Sequence, residues 1–270
     1  MKGAIVAVGR EILTGKTLDT NSHWLAGRLM AIGIRVKRIC VVDDVLEEIA
    51  RELSYCFSLG LELVITTGGL GPTEDDMTLA SWAQALGREM VLNPQALEMV
   101  RSKYQKLYRM GYVDTPEMTP QREKMAWMPK GAQPLPNSVG AAPGMFMREG
   151  SRVLVALPGV PDEMKAIFSH EVQPLLVKVL KERGEGIVMV EEVIQSGFKD
   201  ESLLGPLVRK IMASMEGIYL KTLATHFGSD VDLGVRVEAW GKDEREARDR
   251  LKKAVDALEK ALREAGNAES

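Results

Sequence analysis

The first 66 residues hold apolar runs at 3–8, 34–42 and 61–66, separated by two stretches in which apolar side chains recur at helical spacing. That alternation constrains the fold more than any other feature of the chain. Leu25, Leu29 and Ile32 lie at i, i+4 and i+7 and give the first stretch one apolar face; Asn21 or Ser22 can cap its start and Gly33 closes it. Leu46, Ile49, Leu53 and Phe57 repeat the pattern until Gly60 stops it. Strands without polar alternation, set between amphipathic helices, belong to a parallel sheet covered on both faces, an α/β domain. Ligands of such sheets bind at the carboxyl ends of the strands.

Further along, helices are expected from 77 and from Pro94 to about Arg109, and a strand at 152–157 followed by a helix with Pro161 in its first turn. The stretch 110–147 carries six methionines, six prolines and little periodicity, and reads as a long loop or flap with a short hairpin. Its methionines read as adaptable packing rather than as a cofactor box. After a helix at about 172–182, the segment Arg183-Gly184-Glu185-Gly186 is the best linker. The remainder reads as strand 187–194, helix 201–213, strands 218–224 and 231–239, and a charged helix 243–265 with Leu251, Val255, Leu258 and Leu262 in one stripe. This gives two domains, 1–170 and a small α+β module at 171–270, as a length of 270 residues also suggests.

The composition is that of a globular chain, 45% hydrophobic and 27% charged. Residues 1–170 hold 19 basic and 19 acidic side chains and the rest 16 and 19, so neither part has a field to hold a polynucleotide or an acidic membrane. The second module also has no GXXG loop, so nucleic-acid binding is not expected. Without a signal-like apolar core or an apolar stretch of membrane-spanning length, a cytoplasmic protein with a small-molecule ligand is expected. Cys40 and Cys56 are too few for a disulfide framework or zinc cluster, and neither has a histidine nearby in sequence to support a thiol nucleophile. His23, His170 and His226 are scattered without metal-ligand spacing.

The segment Thr66-Thr67-Gly68-Gly69-Leu70-Gly71-Pro72-Thr73-Glu74-Asp75-Asp76 follows a buried strand and precedes a helix. Glycines let backbone amides approach phosphate oxygens and a helix start adds partial positive charge. The loop matches neither a P-loop nor a GxGxxG fingerprint, and its three terminal carboxylates would repel a phosphate unless a divalent cation lay between them. The alternative is a helix start decorated with favourable acids, which leaves the glycines unexplained. Asp43, after the second strand, is a second carboxylate for such a metal or else a helix cap; Asp44 or Asp75 can substitute for either acid. Glu11 and Asp19 flank the connection after the first strand, Asp19 and Asn21 doubling as caps. Asn137, Ser138, Gly140, Pro143 and Gly144 make a polar turn, either a ligand contact or a simple hairpin turn. Gly159 repeats the strand–glycine–helix arrangement before Glu163. Arg122 and Lys124 are phosphate contacts or merely solvated.

The motifs VGREILTG with DTNS, TTGGLGPTEDD, PNSVGAAPG and LPGVPDEM, in this order, together resemble the N-terminal region of the CinA (competence/damage-inducible) family, and more broadly the molybdopterin-binding fold of MoeA and MogA. The resemblance implies a three-layer α/β/α domain followed by a small KH-type domain. The nicotinamide-nucleotide deamidase domain of many bacterial members is not in this sequence, so deamidation is not expected. It further implies a metal-dependent ADP-ribose pyrophosphatase, acting on a nucleotide diphosphate with magnesium, manganese or cobalt, and a homodimer. On that pattern Asp76 and Asp43 are the catalytic acids and, with Asp75 and Glu11, the metal ligands. Thr67, Gly68, Gly69, Gly71, Asn137, Ser138, Gly140 and Gly159 would hold the nucleotide. The alternatives are molybdopterin binding in molybdenum-cofactor synthesis and a nucleotide-binding regulator without turnover.

Overall fold

The computed structural model describes residues 1–185, 188–198, 200–223 and 233–268. The chain separates into two compact units, Met1–Leu29 with Ile34–Val179, and Met30–Gly33 with Leu180–Ser270.

The first unit runs β1 (Lys2–Val8), α1 (Arg10–Leu13), α2 (Thr20–Ala31), β2 (Arg35–Val42), α3 (Leu46–Ser58), β3 (Leu63–Thr67), α4 (Thr78–Leu86), β4 (Met90–Leu92), α5 (Pro94–Arg109), α6 (Pro120–Lys124), β5 (Trp127–Pro129), β6 (Gln133–Leu135), β7 (Gly144–Glu149), β8 (Arg152–Leu157), α7 (Pro161–Ile167) and α8 (Gln173–Glu182). Its main sheet has the order β2-β1-β3-β8-β7-β6. The first four strands are parallel and β7 and β6 add an antiparallel edge. Covering on both faces is visible on β1, where side chains alternate between faces. Val6 joins one core with Ile49, Leu53 and Trp82 of α3 and α4, and Ile5, on the opposite face, is equally buried. Pro94 and Pro161 both occupy the first turn of their helices, and Asn93 accepts from Gln95 N and Ala96 N to cap α5.

The stretch 110–147 departs from the flap expected of it. It contains α6, β5, which pairs with β4 from outside the stretch, and the antiparallel pair of β6 with the start of β7, the hairpin expected there, and Met125, Met128, Met145 and Met147 are buried in the core. Strands β5 and β6 have three residues each and contain Pro129 and Pro134, too short and too interrupted to show a period. The cysteines agree with a structural role. Both thiols donate to Glu52 Oε1, at 3.3 and 3.7 Å, and burial pushes both up to about 12, so neither supplies a thiolate.

The second unit contains β9 (Val188–Gln195), α9 (Glu201–Ser214), β10 (Ile218–Leu223), β11 (Gly234–Gly241) and α10 (Glu244–Ala268). Its sheet, ordered β10-β11-β9, is antiparallel throughout. Leu251, Val255, Leu258 and Leu262 of α10 form the expected stripe and pack with Leu204 and Val208 of α9 and Val235 and Val237 of β11. Asp200 caps α9 by accepting from Ser202 N at 2.8 Å. Gly186, Ile187, Ala224, His226 and Val231, which the sequence placed in the linker, at strand ends or among the scattered histidines, lie outside the described residues.

Candidate functional site

Strands β1, β3 and β8 are neighbours and end level, with Ala7 opposite Thr67 and Thr67 opposite Leu157. Three connections therefore leave the sheet side by side, and the side chains beneath them lock them together. Asn21 Nδ2 donates to Thr67 Oγ1 at 3.0 Å and to Gly159 O at 2.7 Å, while Thr67 Oγ1 donates to Pro158 O at 3.0 Å. Gly68 N donates to Leu157 O, and Thr78 Oγ1 donates to Gly68 O at 2.8 Å. Gly68 and Gly69 have φ of 107° and 66°. A Cβ on Gly68 would collide with Val8 O and one on Gly69 with Thr78 Oγ1, so both positions need glycine.

Above these connections lies a cleft of about 590 Å³. One part of its wall is backbone, from Gly68, Gly69, Leu70, Gly71 and Gly159; another is acidic, from Glu11, Asp44, Asp75, Asp76 and Glu163; a third is apolar, from Tyr104, Met125, Ala141 and Ala142. Among the described residues the N–H groups of Gly69, Leu70 and Gly71 donate to no protein acceptor.

The acids differ in their surroundings. Thr73 Oγ1 lies 2.5 Å from Asp75 Oδ1 and 2.6 Å from Asp76 Oδ2, so one hydroxyl proton serves two carboxylates, and Thr73 N donates to Asp76 Oδ2 at 2.9 Å. The Thr73 hydroxyl, helped by the charges of Lys124 and Arg10, holds Asp75 below the usual carboxylate range. Lys124 Nζ donates to Thr73 O and so pins the loop. Asp44 is pushed up by burial, reinforced by the nearby charges of Glu11, Asp43 and Asp75 and opposed by the Arg10 N–H it accepts at 2.8 Å. Asp43 does not line the cleft and does not cap α3. Its carboxylate accepts from Nε and Nη2 of the Arg10 guanidinium, in three bonds of 2.9 to 3.2 Å, which hold it below its ordinary range. Asp44, one residue on, is the acid of that pair that reaches the cleft. Of Glu11 and Asp19, Glu11 lines the cleft, while Asp19 caps α2 by accepting from Ser22 N at 2.9 Å.

The turn at Asn137 stands beside the cleft rather than in its wall. Asn137 Oδ1 accepts from Val139 N and Gly140 N, and Nδ2 donates to Ala142 O at 2.9 Å and Glu163 Oε2 at 2.6 Å. Its hydrogen-bonding groups are thus spent on shaping the turn and orienting Glu163, a residue the sequence marked only as part of a helix start. Ser138 and Val139 present their carbonyls to Lys103 Nζ, and Gly140 leaves the space that the Glu163 carboxylate occupies. Thr67, likewise, supports the cleft from below. Arg122 does not line it; its guanidinium lies 3.9 Å from the Tyr104 ring centroid.

Hard carboxylate oxygens suit magnesium or manganese. Among the described residues, however, no three acidic, histidine or cysteine side chains converge to cage a metal ion. Among the described residues no helix is long and apolar enough to cross a membrane.

Comparison with known proteins places this geometry. Residues 4–178 match the family model described as a probable molybdopterin binding domain. A protein of Pyrobaculum arsenaticum is 40% identical over 98% of this chain and 96% of its own length, and one of Thermococcus kodakarensis is 36% identical over 96% of each. A solved structure of the protein CinA, described as of unknown function, from Thermoplasma acidophilum is 35% identical; the match covers 66% of this chain and 99% of that one, with a TM-score of 0.59.

Proposed function

Because the chain belongs to the family of probable molybdopterin-binding domains, we propose that its cleft binds a molybdopterin-type ligand, a pterin that carries a phosphate. The observation that carries this reading is the run of three adjacent N–H groups, Gly69 to Gly71, without protein acceptors on the wall of the cleft. They are the phosphate site. The acids fit the other end of such a ligand, since a pterin presents adjacent N–H donors that one carboxylate accepts together. The cleft volume is that of an ordinary small-ligand site.

Titration calorimetry with a pterin diphosphate is expected to show saturable binding of one ligand per chain. Gly71→Ala, whose Cβ would stand 2.6 Å from Asp76 Oδ2 on the phosphate wall, should weaken it on the order of tenfold. Absence of saturable binding to the unaltered protein would overturn the reading. Protonation of Asp44 removes a negative charge from the wall. Its raised range therefore predicts that binding of the anionic ligand strengthens as pH falls toward and through that range. Asp44→Asn should bind more tightly at neutral pH and lose that part of the pH dependence; a profile unchanged by the substitution would count against it.

A second reading is supported by the five carboxylates that share the cleft with the glycine loop: hydrolysis of the phosphoanhydride of ADP-ribose or a related nucleotide diphosphate with a divalent metal. Such a metal would supply charge neutralisation of the diphosphate, with Asp75 and Asp76 as the nearest protein ligands to the loop. AMP release from ADP-ribose with magnesium, manganese or cobalt, lost in Asp76→Ala, is its expected result. No release with any of the three would remove it.

A further inference from the structure

We propose that Tyr104 is the platform on which the planar ring of the ligand stacks, and that the site thereby selects phosphates attached to a flat heteroaromatic ring. The inference rests on the cleft being a phosphate-ligand site. Tyr104 sits in α5 and lines the cleft, and with Met125, Ala141 and Ala142 it forms the apolar part of the wall. These four side chains are continuous with the hydrophobic core of the first unit, so the platform stands on packed structure rather than on a loop.

One face of the ring is covered by a guanidinium. The Arg122 guanidinium lies 3.9 Å from its centroid and is absent from the cleft wall. Arg122 is itself fixed, with Nη1 donating to Thr115 O at 2.7 Å and Glu117 O at 2.6 Å. A guanidinium tied to two carbonyls clamps one face of an aromatic ring and leaves its other surface for a ligand. Ala141 and Ala142 in the same wall carry only methyl side chains beside it. Lys103, the neighbour of Tyr104 on α5, holds the turn before those alanines by donating to Ser138 O and Val139 O. Consecutive residues of one helix therefore set both the platform and the segment beside it.

The test compares probes with and without a ring on the full chain: ADP and a pterin diphosphate against inorganic pyrophosphate, each titrated into the unaltered protein, Tyr104→Phe and Tyr104→Ala. Loss of one ring-stacking contact predicts that Tyr104→Ala binds ADP and the pterin on the order of tenfold more weakly. Pyrophosphate affinity should change less than twofold, and Tyr104→Phe should bind all three as the unaltered protein does. Equal loss for pyrophosphate, or an undiminished affinity of Tyr104→Ala for both ring-bearing probes, would overturn the platform while leaving the cleft as the ligand site. Failure of the unaltered protein to bind any of the three would overturn the cleft reading and this one together.

Discussion

Gly68→Ala is expected to lower the stability of the first unit by about 3 kcal/mol or more, with ligand binding lost alongside. Two effects add. The backbone at φ 107° lies where a side chain is strained, and the new methyl would run into the carbonyl oxygen of Val8. That oxygen belongs to the buried end of β1, the neighbour of β3, and cannot rotate away as the tip of a side chain can. Relief requires β1 and β3 to separate at the level where the cleft opens. Gly159→Ala is the matched control, because a Cβ there meets the Gly68 Cα only at van der Waals distance, 3.4 Å, and should cost less than about 1 kcal/mol. Urea denaturation followed by tryptophan fluorescence reads the difference, since Trp82 is fully buried and donates to Thr66 Oγ1, two residues before Gly68. Indistinguishable midpoints for the two variants would show that the turn does not depend on glycine at 68.

The reach of the sequence can be judged residue by residue. The parallel sheet was legible because β1, β3 and the helices between them are continuous elements whose apolar spacing is a local property. The glycine loop was legible for the same reason: strand, glycines and helix follow one another in the chain. Asp43 and Asp44 mark where local reading stops. Both follow the same strand, and which one reaches the cleft is decided by Arg10, more than thirty residues earlier, whose guanidinium takes Asp43 and whose N–H takes Asp44. Asn137 shows the same limit, since its amide is consumed by Ala142 and by Glu163 of a distant helix. Tyr104 gave no signal at all, because on an amphipathic helix an aromatic residue at the edge of the apolar face is ordinary packing. The short strands in 110–147 acquire their structure from partners across the sheet, β5 from β4 and β7 from β8, which periodicity within the stretch does not record.

Asn21 provides the sharpest separation between a cap and a structural tie. On the helix-cap expectation, Asp would replace it at little loss. In the structure it donates into a group of oxygens, its Nδ2 giving one bond to Thr67 Oγ1 and one to Gly159 O. Thr67 Oγ1 has committed its own proton to Pro158 O, so it can only accept from residue 21. Asn21→Ala removes the donor and leaves the buried threonine oxygen short of a partner, a loss of about 1–2 kcal/mol. Asn21→Asp places a carboxylate against both oxygens in a buried position and should lose about 3 kcal/mol or more at neutral pH. The sign of its pH dependence follows. Burial and the facing oxygens raise the introduced carboxyl's pKa in the folded state above its unfolded value, so the penalty is fully present above that raised value. It shrinks as pH falls through it, because the protonated acid regains one O–H donor. Denaturation midpoints should thus rank Asn21→Asp below Asn21→Ala at pH 7, with the gap closing toward pH 5. If the two variants are equal at pH 7, or their gap does not respond to pH, residue 21 does not tie the three connections together, and the rigidity of the cleft floor must come from the glycine turn alone.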